Sequence, residues 1–328
     1  MVKNILFPLM LFLAAMVACS DDNAYPTIID EMPDLPEGYT YIPDNNFEQA
    51  LMDLGYDKTD TIQDDMVLTS EIENIKELHI DSLGIQKLTG IQDFKSLEIL
   101  YCDWNELTKL DLSNNHALVK LDCQSNKIGR LILKNCPMLT YVICEMNEIP
   151  GIDLTDNINL EALYCSNNKI SALDVSQNKM LQTLQCYGNQ ISKLYLNNPS
   201  LKDLRCSENR LRTLDLTNCD SIVVVDCFLN QLDTILFGEN NNIRTLSAGY
   251  NNLESIDLSG CSRLSWVDLK INLLKTINIR NGNNHGVGTF FVIKNPLLKC
   301  IQVDNAAWSI ANWTDIDPWA SFSEDCGY

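Results

Sequence analysis

Apolar residues in the middle of this chain recur with a period longer than any helix or strand. A unit opening at Leu97, Leu118, Leu139, Leu160, Leu181, Leu201, Ile222, Ile243 and Leu264 repeats every 21 residues, with a single step of 20 between Leu181 and Leu201. Residues Leu160–Met180, LEALYCSNNKISALDVSQNKM, show it most clearly. The fourth position is always apolar, from Leu100 to Val267. The sixth is Cys102, Cys123, Cys144, Cys165, Cys186, Cys206 and Cys227, then Ala248 and Leu269. The ninth is always Asn: Asn105, Asn126, Asn147, Asn168, Asn189, Asn209, Asn230, Asn251 and Asn272. Asn in every copy marks a structural register rather than composition.

A single 21-residue coil cannot bury its own apolar edge, whereas stacked coils share one core. The alternation around positions four and six sends Leu and Cys inward and their neighbours to solvent, one strand of a parallel sheet per coil. The Asn column falls where the chain leaves that strand. Its amide both donates and accepts, so it suits the exposed backbone of a turn. A second alternating segment, such as Leu173-Asp174-Val175 or Leu214-Asp215-Leu216, predicts a second short strand. Little room remains for helix.

The unit L-x-x-L-x-C-x-x-N-x-L-x-x-L-D-L-S-x-N resembles the leucine-rich repeat. The resemblance implies a leucine-rich-repeat solenoid, β-rich and helix-poor, with a parallel sheet and a cap at each end. The repeats span residues 75–280, with 75–96 a degenerate first coil that has Leu83 where Asn would stand.

The flanks read differently. Residues 1–18 carry Lys3 and an apolar run too short to span a bilayer, the pattern of a signal peptide. The run ends in Met16-Val17-Ala18-Cys19 and resembles a lipoprotein signal, which implies lipidation of Cys19 and membrane attachment through that anchor alone. Met16 departs from the usual Leu of that signal. Ser20-Asp21-Asp22 resembles the surface-export tag of Bacteroidota lipoproteins, which implies an outer-membrane, cell-surface location. Residues 19–40 contain no Lys or Arg and three Pro, as expected of a flexible acidic tether. Residues 41–74 predict a helical N-terminal cap. Asp44 or Asn45 starts a helix with Phe47, Leu51 and Leu54 on its apolar side, Gly55 ends it, and Asp57–Ser70 reads as a polar loop. The wording IPDNNFEQALMDLGYD resembles the N-terminal cap of Bacteroidota leucine-rich-repeat proteins. Residues 281–328 predict a final irregular coil, with Val292 and Asn295 in the Cys and Asn columns. A C-terminal cap carrying Trp308, Trp313, Trp319 and Phe322 follows, and it resembles the cap of the same family. Cys300 and Cys326 bracket this segment and predict a disulfide in an oxidising compartment.

Of thirteen Cys, ten occupy repeat columns, including Cys136, Cys219 and Cys261 at an outer turn that elsewhere holds Asn115, Asn157, Asn178 and Asn240. No C-x-x-C pair exists, so no zinc signature is present and no metal site is predicted. These thiols read as small apolar core groups, free rather than bridged, because neighbouring Cβ atoms in register point in parallel. The net charge of −20, from 24 basic and 44 acidic residues, excludes a nucleic-acid partner and favours a basic one. The chain has only His79, His116 and His285, and it lacks H-E-x-x-H, Walker A and G-x-S-x-G motifs, so neither enzyme chemistry nor a cofactor is predicted. The Asp column of the second strand is interrupted at Ile132, Tyr195 and Leu236, unlike a calcium ladder.

Candidate chemistry is confined to the outward positions of the first strand, which carry Tyr101, Trp104, Tyr141, Tyr164, Tyr187, Arg205, Phe228 and Trp266. Aromatic side chains rimmed by charge mark interaction surfaces, although aromatics also suit sheet surfaces in general. The expectation is non-catalytic binding or adhesion by a monomer at the cell surface, similar to internalin-type scaffolds. The partner is an unknown protein or glycan. A surface glycan-binding lipoprotein and a structural envelope component without a discrete ligand are the alternatives.

Overall fold

The computed structural model describes residues 35–58, 62–238 and 242–328. The predicted signal peptide, Cys19, the start of the tether and Asn240 lie outside the described residues.

Eleven parallel strands of three residues each form the principal sheet, from Glu77–His79 through Ala162–Tyr164 to Thr289–Phe291. Sequence neighbours are spatial neighbours, and the register places position four beside position four: Leu100 by Leu121, Leu121 by Val142, Leu184 by Leu204. The degenerate first coil and the irregular last coil both contribute a strand. The fold is a helix-poor parallel β-solenoid of about 21 residues per turn. Positions four and six are fully or almost fully buried in every coil, and they belong to one apolar cluster running the length of the repeats.

Second strands form less regularly than expected. Lys109–Asp111 pairs with Arg130–Ile132, Ala172–Asp174 with Lys193–Tyr195, and Thr213–Asp215 with Thr234–Leu236. The row breaks at Ile152–Leu154, where Pro150 lacks an N–H and Gly151 adds flexibility. It breaks again after Tyr195, in the 20-residue coil. Two strands per coil therefore holds in every repeat except the one opening at Leu139, with the later second strands, from Ser255–Asp257 to Ser321–Ser323, paired in one row of four.

Before the repeats, Asp44 initiates the helix Asn45–Asp53, its Oδ1 accepting from the amides of Asn46 and Phe47. The other oxygen of the same carboxylate accepts from Gln86 and Lys87 at 2.8 and 2.9 Å, so one side chain ties the helix to the first coil. Phe47 and Leu51 are fully buried, and the Phe47 ring stacks against Phe94 at 6.2 Å. Two expectations are corrected here. The tether does not extend to residue 40, because Tyr39–Tyr41 is already a strand, paired antiparallel with Met66–Leu68. The segment Asp57–Ser70 is accordingly not all loop. Val67 is fully buried, and the wholly apolar triplet Met66-Val67-Leu68 next to a complementary strand gains more from pairing than from solvation.

At the far end, a short helix Ala306–Asn312 and a strand Ser321–Ser323 follow the last coil. Trp313 and Phe322 are buried against Phe290, the Trp313 ring 4.3 Å from it. Trp319 is not part of this packing; it is 53% exposed. Cys300 and Cys326 form a disulfide, as the sequence predicts. Asp317 accepts from the amides of Lys294 and Asn295 at 2.8 and 2.6 Å, and Asp315 O accepts from Val292 N. In earlier coils such amides reach groups of the following coil, for example Ser125 N to Glu145 O. Here side-chain and loop oxygens take that place. No helix among the described residues is long and apolar enough to cross a membrane.

Candidate binding face

The face is positioned by the Asn column. Each ladder Asn bonds back to the coil before it. Asn168 Nδ2 donates to Cys144 O at 2.9 Å and to its own coil's Cys165 O at 3.2 Å, while its Oδ1 accepts from Ile149 N at 3.0 Å. Asn105, Asn126, Asn147, Asn189, Asn209, Asn230, Asn251 and Asn272 repeat this pattern, and Asn295 continues it into the last coil. Only an amide serves, since a carboxylate cannot donate and a hydroxyl cannot span both groups.

The residue before each Asn has positive φ, between 52° and 64° from Trp104 to Lys294. This turn aims the chain out of the strand. Glycine and asparagine occupy the left-handed conformation cheaply, yet only Gly188 and Asn167 do so here; Trp104, Met146, Leu229, Tyr250 and Ile271 hold it as large side chains. Trp104 and Met146 are 61% and 54% exposed. Sequence reading missed this feature, whose only signal was Ser125, Asn167 and Gly188 in that column.

A second ladder runs along the outer turns. Asn157, Asn178 and Asn198 donate to carbonyls of the preceding coil, such as Leu133, Leu154 and Val175. Cys136 Sγ donates to Leu112 O at 3.2 Å in the same role. Asn198 was overlooked because the short coil shifts it by one place.

On the strand face itself the predicted aromatics fall into two groups. In the first, His79 stacks on Tyr101 at 4.7 Å, and Tyr141 lies 5.3 Å from Tyr164. Between them Lys120 Nζ sits 4.9 Å from the Tyr101 ring and 5.3 Å from the Tyr141 ring, and it donates to Tyr101 Oη at 2.7 Å. The neighbouring Tyr164 hydroxyl, and after it burial, pushes the Tyr141 phenol up to about 12. In the second group, Phe228 lies 4.9 Å from Tyr250, and Trp266 meets Phe291 edge-on at 5.8 Å. Tyr187 and Arg205 stand between the groups, Arg205 paired with Asp203 at 3.2 Å. Tyr101, Tyr141, Tyr164 and Tyr187 are half-buried, the first three against neighbouring rings; Trp104, Arg205, Tyr250 and Trp266 are exposed. His79, Lys120, Tyr250 and Phe291 complete the groups although the sequence-based candidates did not include them.

Acidic side chains share the first group. Burial, then Asp81, pushes the Asp103 carboxyl up; burial, then Asp103, does the same to Asp122, which is 6% exposed. That burial differs from the exposure expected of a strand-face position, and it follows from Asp122 turning back to accept from Gln124 N. No group of side chains suited to a metal ion exists among the described residues. A concavity of about 550 Å³ lies off this face, lined by His116, Pro137 and Ile158 on the outer turns.

Solved structures share this architecture. The functional domain of InlJ from Listeria monocytogenes, described as including a cysteine ladder, matches with a TM-score of 0.66 at 24% identity, covering 81% of this chain and 67% of that one. The leucine-rich-repeat domain of APL1B matches at 0.55 and 18% identity over 80% of this chain and 92% of its own. The LRIM1/APL1C complex matches at 0.53 and 18% identity, over 77% and 53%. The fold is that of a leucine-rich-repeat solenoid. No family model and no curated protein matches the chain.

Proposed function

We propose that this chain is a non-catalytic protein-binding solenoid, carried at the cell surface of a Bacteroidota-type envelope on a lipid at Cys19, with the strand face as its docking surface. One observation carries the reading: aromatic side chains stack from coil to coil along one face, with Trp104 and Met146 exposed beside them. A rigid sheet presents these anchors with little backbone ordering cost on binding. InlJ and the LRIM1/APL1C pair share the fold, and the latter two proteins assemble with each other. The lipid anchor and the surface location rest on the sequence of residues 1–22, and the chain works as a monomer in this reading.

The test is binding of the purified chain to arrays of extracellular proteins and of soluble polysaccharides. A variant with Tyr101, Tyr141, Tyr164 and Tyr187 changed to Ser runs in parallel. Saturable protein binding that the folded variant loses is the expected result. Binding confined to polysaccharides would transfer the face to glycans, and binding unchanged in the variant would remove the face from the function.

A further inference from the structure

The strand face carries an internal precedent for the kind of group it holds. In its second half Lys270 Nζ sits 5.3 Å over the Phe228 ring and pairs with Asp268 at 2.8 Å, a cation held between an aromatic face and a carboxylate. In the first half Lys120 lies between the rings of Tyr101 and Tyr141. A ring quadrupole and a nearby carboxylate both favour a cation, more so when partly desolvated.

The first half has more carboxylates than its own cations use. Asp81, Asp103, Asp122 and Glu145 lie on the outward positions of consecutive coils whose strands pair in register. None of the four forms an ion pair among the described residues. Two buried polar atoms in this series also lack partners: Glu145 Oε1 and, in the following coil, the Oγ of Ser166. Buried polar atoms without partners are uncommon in native proteins and cost stability. An ammonium brings three donors to such a place, and a guanidinium five. The flanking Tyr141 and Tyr164 offer surface for the alkyl part of either side chain.

We propose that the partner segment is cationic: a lysine- or arginine-rich stretch of another protein lies along the strands from Glu77–His79 to Ala162–Tyr164. Its charges meet Asp103, Asp122 and Glu145, and its alkyl chains cross Tyr101, Tyr141 and Tyr164. The inference rests on the docking role of this face and adds the chemistry of what docks. Charge complementarity decides the occupant, because an acidic or neutral segment would leave the carboxylates uncompensated in a partly desolvated interface.

The experiment uses the full chain with fluorescein-labelled hexalysine as probe, read by fluorescence anisotropy at 50 and 300 mM NaCl, and with fully acetylated hexalysine as control. One variant carries Asp103→Asn, Asp122→Asn and Glu145→Gln. A second carries Asp111→Asn, Asp174→Asn and Asp215→Asn, the same change in net charge on the other strand row. Circular dichroism verifies that both are folded. Hexalysine is expected to bind and the acetylated peptide not to. The face variant should weaken binding at least tenfold, and the second variant less than twofold. Equal weakening in both variants would reduce the effect to net charge and overturn the proposal, as would absence of hexalysine binding at 50 mM NaCl. Partner proteins that bind through the tyrosines but are indifferent to the face carboxylates would overturn the cationic partner and leave the docking role standing. Face-dependent hexalysine binding that the tyrosine-to-serine variant retains in full would keep the cationic partner and remove the tyrosines from the docking surface.

Discussion

At the scale of single residues, the ladder asparagines hold one coil to the next. Changing Asn168 to Ala leaves Ile149 N without its acceptor and takes from the Cys144 carbonyl the nearer of its two amide donors, the other being Asn147 Nδ2 at 3.2 Å, at a cost of about 1–3 kcal/mol. Urea unfolding should show a lower midpoint, and Asn168→Asp should not rescue it, since the acid keeps the acceptor but loses the donor. The column thiols make a second prediction. Burial pushes the Cys186 thiol up to about 12 and drives Cys102, Cys165 and Cys206 well above the usual thiol range. In the unfolded chain these groups ionise from about pH 9 upward, while in the folded chain they keep their protons. Their effect on stability is therefore absent below that pH. Above it, each thiol removes up to about 1.4 kcal/mol of stability per pH unit until the folded value is reached. Thermal unfolding under anaerobic conditions should fall steeply between pH 9 and 11. Face carboxylates act in the opposite window. Because the folded-state value of Asp122 is raised, its ionised form costs stability at neutral pH, and the cost disappears as pH falls through that value. Asp122→Asn keeps the acceptor for Gln124 N and should raise the melting temperature at pH 7 rather than lower it.

At the scale of elements, the strands were legible because apolar positions recur with fixed spacing, whereas their partners were only half legible. The Asn column announced a turn, but its bonding partners lie in the preceding coil and become apparent only once coils are stacked. The left-handed residue before each Asn carried almost no signal, since Trp104, Leu229 and Ile271 are not turn formers. The strand Met66–Leu68 was read as loop because it is three residues long and its partner, Tyr39–Tyr41, lies far away in sequence. The candidate site was legible as a column of aromatics, but not the insertion of Lys120 between two of them, which depends on neighbouring strands. The terminal elements yield a further prediction. The disulfide Cys300–Cys326 closes a segment of 26 residues, and replacing both cysteines with Ser should cost about 3 kcal/mol, seen as a lower unfolding midpoint. Asp44→Ala removes acceptors from four amides at once and should bring preferential proteolysis near residues 41–58 before the repeats are cut.

At the scale of the whole molecule, the repeats are nearly one-dimensional, each coil touching those on either side. Removing residues 148–168 should join Asn147 to Lys169 in phase and leave a shorter folded protein with cooperative unfolding. The next Asn, Asn189, would meet Cys144 in place of Cys165. Removing 20 or 22 residues at the same place should not fold as well, because the column would slip. The Asn bonds also have a direction. Every ladder Asn reaches only to groups with lower residue numbers, while the amides that wait for the next coil stay open until that coil arrives. A chain emerging end-first from a ribosome or through a membrane pore can thus build on a finished surface at each step. Only its growing tip is unsatisfied, and in the final coil the carboxylate of Asp317 accepts from the amides of Lys294 and Asn295 where earlier coils use the coil that follows.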